Sequence, residues 1–249
     1  MGKINKQETI MLIFRLQVED KSFSFAKPSS IKLYMTTYFS YSDKEIEHLK
    51  KVDKRLAIII DQIGMINRAV NPDLFSALIN AIIGQQISTK AHQTIWQRMQ
   101  NDLKLVTPMT IDNTTVDQLQ KHGITFKKAE YIKEVARKVL SNEFDISALY
   151  TMSDEEVCAK LSELKGIGVW TAEMIMLFSM QRSNVLSYGD LAILRGMRMV
   201  YHHKTIDKER FKKYWRRYTP YASVASLYLW AVAGGAIEGL TDPAPKKKK

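Results

Sequence analysis

Two glycines separated by one apolar residue could bind an anion in this chain. Gly166 and Gly168 flank Ile167 in the segment 164–172, which lies between two predicted helices. Glycine lets the backbone turn tightly and approach a ligand closely, and the next helix begins with N–H groups that can donate to a phosphate oxygen. Such a turn would hold a nucleic-acid backbone without reading base sequence. Taken alone, Gly-x-Gly favours the simpler interpretation, an ordinary turn with Ile167 in the core.

One acidic residue near this turn could carry out chemistry. Asp190 precedes the apolar segment 191–200, and aspartate is among the preferred N-cap residues of helices, so a helix cap is its ordinary interpretation. A cap is held rigidly at the end of a helix, which would also suit a catalytic carboxylate. Asp190 is the only plausible catalytic group that we identify in the hairpin region.

The charge of the chain indicates a polyanionic partner. Its 249 residues carry a formal net charge of +11 at pH 7, and nucleic acid is the commonest polyanion bound by proteins this basic. The length and an apolar content of 45% fit one large globular domain or two small ones.

The same sequence argues against a membrane or secreted setting. We find no apolar run near the ~20 residues of a membrane span and no signal peptide, so we expect no membrane partner. Cys158 is the single cysteine, so no internal disulfide can form. A cytoplasmic location (nucleoid-associated in a bacterium) or a nuclear one is expected.

Helical patterns occupy nearly all of the chain after residue 42. Capping boxes predict helix starts at Ser42 and Ser153, and Asn71-Pro72-Asp73 predicts another with Asn71 as the cap. Further helices are predicted at 74–86, 127–140, 169–180, 207–218 and 222–233. Strand-like alternation is confined to residues 11–18 and 22–25. We predict an all-α fold of roughly ten short helices, with no strand after residue 45.

Five motifs, in order, resemble those of the helix-hairpin-helix DNA glycosylase superfamily, and the resemblance is closest to its 3-methyladenine DNA glycosylase II branch. The motifs are AIIGQQIS (81–88), GITFKKAEYI (123–132), LKGIGVWTA (164–172), SYGD (187–190) and PYASVASLYLW (220–230). The resemblance covers about residues 42–240. Five ordered motifs are far more specific than the glycine pair alone.

The resemblance implies an enzyme that removes alkylated purines, such as 3-methyladenine and 7-methylguanine, from double-stranded DNA. It would flip the damaged base out of the duplex and hydrolyse its N-glycosidic bond, with Asp190 facing the developing sugar cation. Superfamily members that also cut the strand carry a Schiff-base lysine where this chain has Trp170, so a monofunctional enzyme is expected. Trp170, Trp230, Tyr188 and Met174 are the implied pocket residues, and a cationic base over an indole gains ~0.5–2 kcal/mol.

The resemblance also implies the residues that contact DNA. Gln86 stands where the closest branch places the residue that fills the gap left by the flipped base, and Gln85 precedes it. In the hairpin the implied contacts are Lys165, Gly166, Gly168, Val169 and Thr171. Lys165 occupies a position where the family often has proline, and its charge could add a phosphate contact.

The family's hairpin binds a monovalent cation through backbone carbonyls, and the matching residues are Ser162, Leu164 and Ile167. Na⁺ or K⁺ at this turn is the one ion expected, and no cofactor is required. An iron–sulfur cluster of the kind that several branches hold with four cysteines cannot form with Cys158 alone.

By resemblance, two helical subdomains enclose a cleft that Asp190 and the hairpin face. One is continuous, residues 105–200, and the other joins residues 42–104 to 201–240. Residues 1–41 form a short N-terminal extension with some β character, and 241–249 form a basic tail. We expect a monomer.

Three alternatives stay open at this point. Met174 stands where some relatives have an aromatic residue, so the lesion could instead be an oxidised or deaminated base. The chain could be a DNA-binding protein that kept the hairpin without catalysis, or a basic helical scaffold with no role on DNA. Each tryptophan is as well explained by core packing as by stacking on a base.

Overall fold

A computed structural model describes residues 37–245 of the chain. The strands predicted at 11–18 and 22–25, the rest of the extension before residue 37, and the terminal residues 246–249 lie outside the described residues. The described part holds twelve α-helices, a 3₁₀ helix and a two-stranded sheet, which confirms the all-α prediction. None of its helices is both long and apolar enough to cross a membrane.

The helices follow one another with short connections. They are α1 (Asp43–Val52), α2 (Lys54–Ile63), α3 (Leu74–Gly84), α4 (Thr89–Leu103), α5 (Pro108–Asp112), α6 (Val116–Lys121), α7 (Phe126–Leu140), α8 (Asp154–Ser162), α9 (Val169–Phe178), α10 (Leu191–Tyr201), α11 (Lys208–Tyr218) and α12 (Ala222–Ala233), with the 3₁₀ helix Ser147–Thr151 before α8.

Most predicted helix starts are confirmed, but one cap is wrong. The capping boxes at Ser42 and Ser153 both form. At α3 the cap is Asp73 and not Asn71, because the Asp73 carboxylate accepts the Ser76 N–H at 3.1 Å. Asn71 lies before the helix and its side chain accepts the N–H of Asp73. The predicted ends are also too late, since α3 stops at Gly84 and α9 at Phe178.

A small sheet contradicts the prediction of no strand after residue 45. Strand β1 (Thr37–Tyr38) pairs antiparallel with β2 (Ala69–Val70), with Thr37 opposite Val70. Two-residue strands have too few positions to show alternation, so the sequence pattern could not reveal β2. The sheet ties the end of the N-terminal extension to the connection between α2 and α3.

The helix that follows Asp190 is fixed by close packing on α12. A Cβ atom at Gly196 of α10 would lie 2.2 Å from the carbonyl oxygen of Leu229 in α12, so only glycine allows this approach. Helix α10 also contacts α2, and both partners belong to the predicted 42–104 and 201–240 subdomain. The division into two subdomains stays a prediction.

Candidate active site at the hairpin and Asp190

The glycine pair forms a tight turn between α8 and α9, and its two glycines have different roles. Gly166 has φ +89°, the left-handed region that favours glycine, and a Cβ there would lie 2.9 Å from the ring of Tyr131. Ile167 is buried in the core, as predicted. The backbone turn therefore requires Gly166.

Gly168 is not needed for the turn itself. It is the N-cap of α9 with an extended backbone, and a Cβ there would meet nothing within 4 Å. No side chain caps this helix, and the next residue, Val169, is 61% exposed. The first N–H groups of α9 therefore have no side-chain cap, which suits an anion at a helix N-terminus.

Lys165 and Thr171, two other residues predicted to contact DNA, have side chains that already contact protein. The Lys165 ammonium lies 2.8 Å from the Glu134 carboxylate and holds the pKa of Glu134 below its ordinary value. The Lys165 side chain is 62% exposed, so a phosphate contact would compete with this ion pair. The Thr171 side chain is buried, which leaves only its backbone N–H for DNA.

Gln85 and Gln86, the two glutamines predicted to contact DNA beside the flipped base, differ in their contacts. The Gln85 side-chain amide donates to the Gly166 carbonyl and so ties the end of α3 to the hairpin. Gln86 is exposed and has φ +58°, a strained conformation for a residue other than glycine. Such strain is often found at functional sites, and the role of Gln86 in filling the gap left by a flipped base stays a prediction.

Lys128 lies beside Gln85 and was not predicted as a site residue. Its ammonium group donates to the carbonyls of Ile83 and Gln85, at 2.7 and 2.6 Å, and burial lowers its pKa. It therefore caps the open end of α3, where helix carbonyls have no partner within the helix. The sequence did contain an indication of this role, because Lys128 belongs to the motif GITFKKAEYI (123–132).

Asp190 caps α10 and also accepts a hydrogen bond from a tryptophan side chain. One carboxylate oxygen, Oδ1, accepts the N–H groups of Ala192 and Ile193 at 2.8 and 3.0 Å. The other, Oδ2, accepts the indole N–H of Trp170 at 2.9 Å. Asp190 is only 6% exposed. Its charge is thus held rigidly between the start of α10 and the hairpin helix α9.

Trp170 therefore has a role that the sequence did not indicate. It was a candidate for stacking on the base, and its indole N–H is instead committed to Asp190. The two residues are twenty positions apart, so no local pattern could predict this bond. The side chain is half-buried, and stacking by its ring stays a prediction.

Trp230 lies in an aromatic group with a buried cation. Its ring centroid is 5.5 Å from that of Phe178, and the guanidinium of Arg68 lies 4.7 Å from the centre of the Phe178 ring. Burial lowers the pKa of Arg68 to about 10, so the group stays charged at neutral pH. Neither Arg68 nor Phe178 was predicted as a site residue.

The other two pocket candidates are packed against protein. Tyr188 makes an edge-to-face contact with Phe211 of α11, with 5.1 Å between ring centroids. Met174 is buried on α9, one turn after Trp170. Their contact with a flipped base stays a prediction.

A second carboxylate lies near Asp190. Glu173 of α9 accepts the hydroxyl of Ser187, and its pKa is raised by burial and by repulsion from Asp190. Glu173 was not predicted as a site residue, although its spacing of three residues from Trp170 places both side chains on one helix face.

The carbonyls predicted to hold a cation lie in consecutive turns. The Leu164 N–H donates to Leu161, and the Ile167 N–H donates to the Leu164 carbonyl. A carbonyl has two lone pairs, so Leu164 can still serve as a ligand. The donor set of Ser162, Leu164 and Ile167 is neutral and all oxygen, which fits a hard ion of low charge.

Comparison with known proteins assigns this arrangement to one family. The model of the HhH-GPD superfamily base excision DNA repair proteins matches residues 79–220. The match includes Gln85, Gln86, the hairpin and Asp190. It ends at Pro220, before Trp230.

The chain is also similar to named relatives. It is 27% identical over 209 residues to the Schizosaccharomyces pombe DNA-3-methyladenine glycosylase 1, covering 81% of this chain and 91% of that protein. A Bacillus halodurans DNA-3-methyladenine glycosidase has a TM-score of 0.71 at 33% identity, over 82% of this chain and 95% of that one. A Schizosaccharomyces pombe 3-methyladenine DNA glycosylase in complex with abasic DNA has a TM-score of 0.66 at 27% identity, over 76% of this chain and 96% of that one.

Proposed function

The chain belongs to the HhH-GPD superfamily of base excision DNA repair proteins, and from that premise we propose that it is a glycosylase releasing alkylated purines from double-stranded DNA. One observation carries the proposal. Asp190 is a buried carboxylate that accepts two backbone N–H groups at the start of α10. It also accepts the indole N–H of Trp170, which lies on α9, the helix that begins at the hairpin. The names of the relatives support an alkylated base as the substrate.

The chemistry follows from a fixed negative charge. Breaking the N-glycosidic bond builds positive charge on the sugar, and a preorganised carboxylate stabilises that charge without reorganising. A purine alkylated at a ring nitrogen is already cationic and leaves without strong protonation. Asp190 would therefore act by its charge and by orienting the attacking water.

DNA binding would use the open N-terminus of α9 and the exposed Gln86. The N–H groups that follow Gly168 can donate to a backbone phosphate, and Gln86 can occupy the space of the flipped base. We expect Na⁺ or K⁺ at the carbonyls of Ser162, Leu164 and Ile167, where it would attract the same phosphate. The enzyme would act as a monomer.

We expect hydrolysis of the N-glycosidic bond without cleavage of the DNA strand. A Schiff base needs an amine, and the indole of Trp170 cannot supply one. Its N–H is also committed to Asp190.

The test is incubation with methylated duplex DNA, scored by which free base is released. Release of 3-methyladenine or 7-methylguanine is expected. Separate duplexes that carry an oxidised or a deaminated base are tested in parallel, and release from those alone would show that the alkylated substrate is wrong. Borohydride added to a parallel reaction should trap no protein–DNA adduct, with a strand-cleaving glycosylase as the positive control. Failure to release any base would leave a DNA-binding role without catalysis.

A further inference from the structure

Glu173 is joined to the loop that presents Asp190. Its carboxylate on α9 accepts the hydroxyl proton of Ser187. Ser187 is 1% exposed, and its carbonyl accepts the backbone N–H of Asp190 at 3.4 Å. A side chain on α9 thus holds the first residue of the four-residue turn 187–190.

The same helix holds the other end of that turn. Trp170 donates to the Asp190 carboxylate at 2.9 Å, and Trp170 and Glu173 lie one helical turn apart on the same face of α9. The turn 187–190 is therefore tied to α9 at both ends. One bond directs the carboxylate itself, and the other directs the backbone that carries it.

Electrostatics argue against a role for the Glu173 charge as such. The titratable groups that face Glu173 are Asp190 at the start of α10 and Cys158 on α8. Burial raises the pKa of Glu173, and repulsion from Asp190 raises it further. Two carboxylates at close range repel each other. What Glu173 offers the turn is thus an acceptor for the Ser187 hydroxyl.

We propose that Glu173 is a positioning residue, which holds the turn 187–190 through Ser187 and so fixes the Asp190 carboxylate relative to the reacting sugar. This inference rests on the proposed function. A displacement of about 1 Å at a reacting group can cost ~10²-fold in rate, which is enough to make the bond to Ser187 important.

The test compares two substitutions at one position. Glu173→Gln keeps an acceptor oxygen for Ser187 and removes the charge, whereas Glu173→Ala removes both. We expect the single-turnover rate of base release to fall ~10–100-fold in Glu173→Ala and to be largely restored in Glu173→Gln. Affinity for an abasic-site duplex should change less than about threefold in both variants, because the loss concerns geometry and not DNA contacts.

A double-mutant cycle isolates the bond. Ser187→Ala should lower the rate about as much as Glu173→Ala, and the double variant should be no slower than either, because all three lack the same bond. The matched control is Glu209→Ala on α11, a glutamate that is 86% exposed, which should leave the rate within about twofold.

The outcomes separate this inference from the proposed function. If wild-type protein releases base and Asp190→Asn does not, but Glu173→Ala keeps the wild-type rate, the positioning role is wrong and the function stands. If Glu173→Gln is as slow as Glu173→Ala, the charge and not the acceptor is required, which also overturns the inference. If the wild type releases no base, the proposed function itself has failed.

Discussion

Replacement of Asp190 by asparagine should remove catalysis and, because of Trp170, should also cost stability. The sequence alone predicts a nearly neutral change in stability, since asparagine caps helices as well as aspartate. The structure adds a third bond. In the wild type, the indole nitrogen of Trp170 lies 2.9 Å from Oδ2 of Asp190. In the variant, Asn Oδ1 can still accept the N–H groups of Ala192 and Ile193, but the NH₂ group then takes the place of Oδ2 and faces the indole N–H.

Neither orientation of the asparagine side chain avoids this conflict. Flipping the amide would satisfy Trp170 but would point two donors at the backbone N–H groups of α10. A buried donor left without an acceptor costs about 1–3 kcal/mol. For a chain of this size, each kcal/mol lowers the melting temperature by about 2–4 °C. We therefore expect Asp190→Asn to melt roughly 2–12 °C below wild type, while still folding.

The loss of rate should be much larger than the loss of stability implies. Removing one preorganised electrostatic group costs ~10²–10³ in rate, and a full charge can cost more. The assay is single-turnover release of 7-methylguanine from methylated duplex DNA, at a temperature where both proteins are folded. An abasic-site duplex titrated in parallel should bind as tightly as before or slightly more tightly, because a carboxylate near phosphates is repulsive.

Trp170→Phe is the control that isolates the donor conflict. It removes the indole N–H and keeps a ring of similar character, so asparagine at position 190 no longer meets an opposing donor. Asp190→Asn should therefore cost less stability in the Trp170→Phe background, with a coupling of about 0.5–3 kcal/mol. Equal costs in both backgrounds would refute the role of the Trp170 bond. Base release within tenfold of wild type would show that Asp190 is a helix cap only.

Substitutions at Gly168, Gly196 and Asp242 test other parts of the structure. Gly168→Ala should leave the melting temperature nearly unchanged, because the site of its Cβ is open, yet should weaken binding to an abasic duplex in a titration; unchanged binding would contradict the phosphate site. Gly196→Ala should cost about 1–3 kcal/mol or more in a urea unfolding curve, since its Cβ would meet the Leu229 carbonyl at 2.2 Å. Asp242 has a pKa held below 3.8 by its hydrogen bond to Arg198, so its contribution to stability is present above that pH and is lost as the pH falls through the lowered pKa. Asp242→Asn should therefore lower the melting temperature at pH 7, and the difference should shrink as the pH falls below about 3.8.

Local patterns in the sequence were sufficient for most of the helices and for the family. Capping boxes at Ser42 and Ser153 depend on residues three positions apart, so they can be read directly. The hairpin likewise depends on adjacent residues, since the conformation of Gly166 and the burial of Ile167 are local properties. Asp190 could be identified because it lies at a fixed distance along the chain from the hairpin.

Tertiary structure decided how the site is held together. The bonds from Trp170 to Asp190, from Ser187 to Glu173 and from Gln85 to Gly166 join residues 14 to 81 positions apart. Such pairs have no periodicity, so one sequence cannot indicate them. The sequence therefore predicted Asp190 and the hairpin as parts of the site, and only packing showed that Trp170 donates to the Asp190 carboxylate, that Gln85 donates to the turn and that Gln86 stays exposed. The reason is physical: a helix is encoded by neighbours along the chain, whereas the direction of a buried polar side chain is fixed by whichever donor or acceptor the fold brings to it.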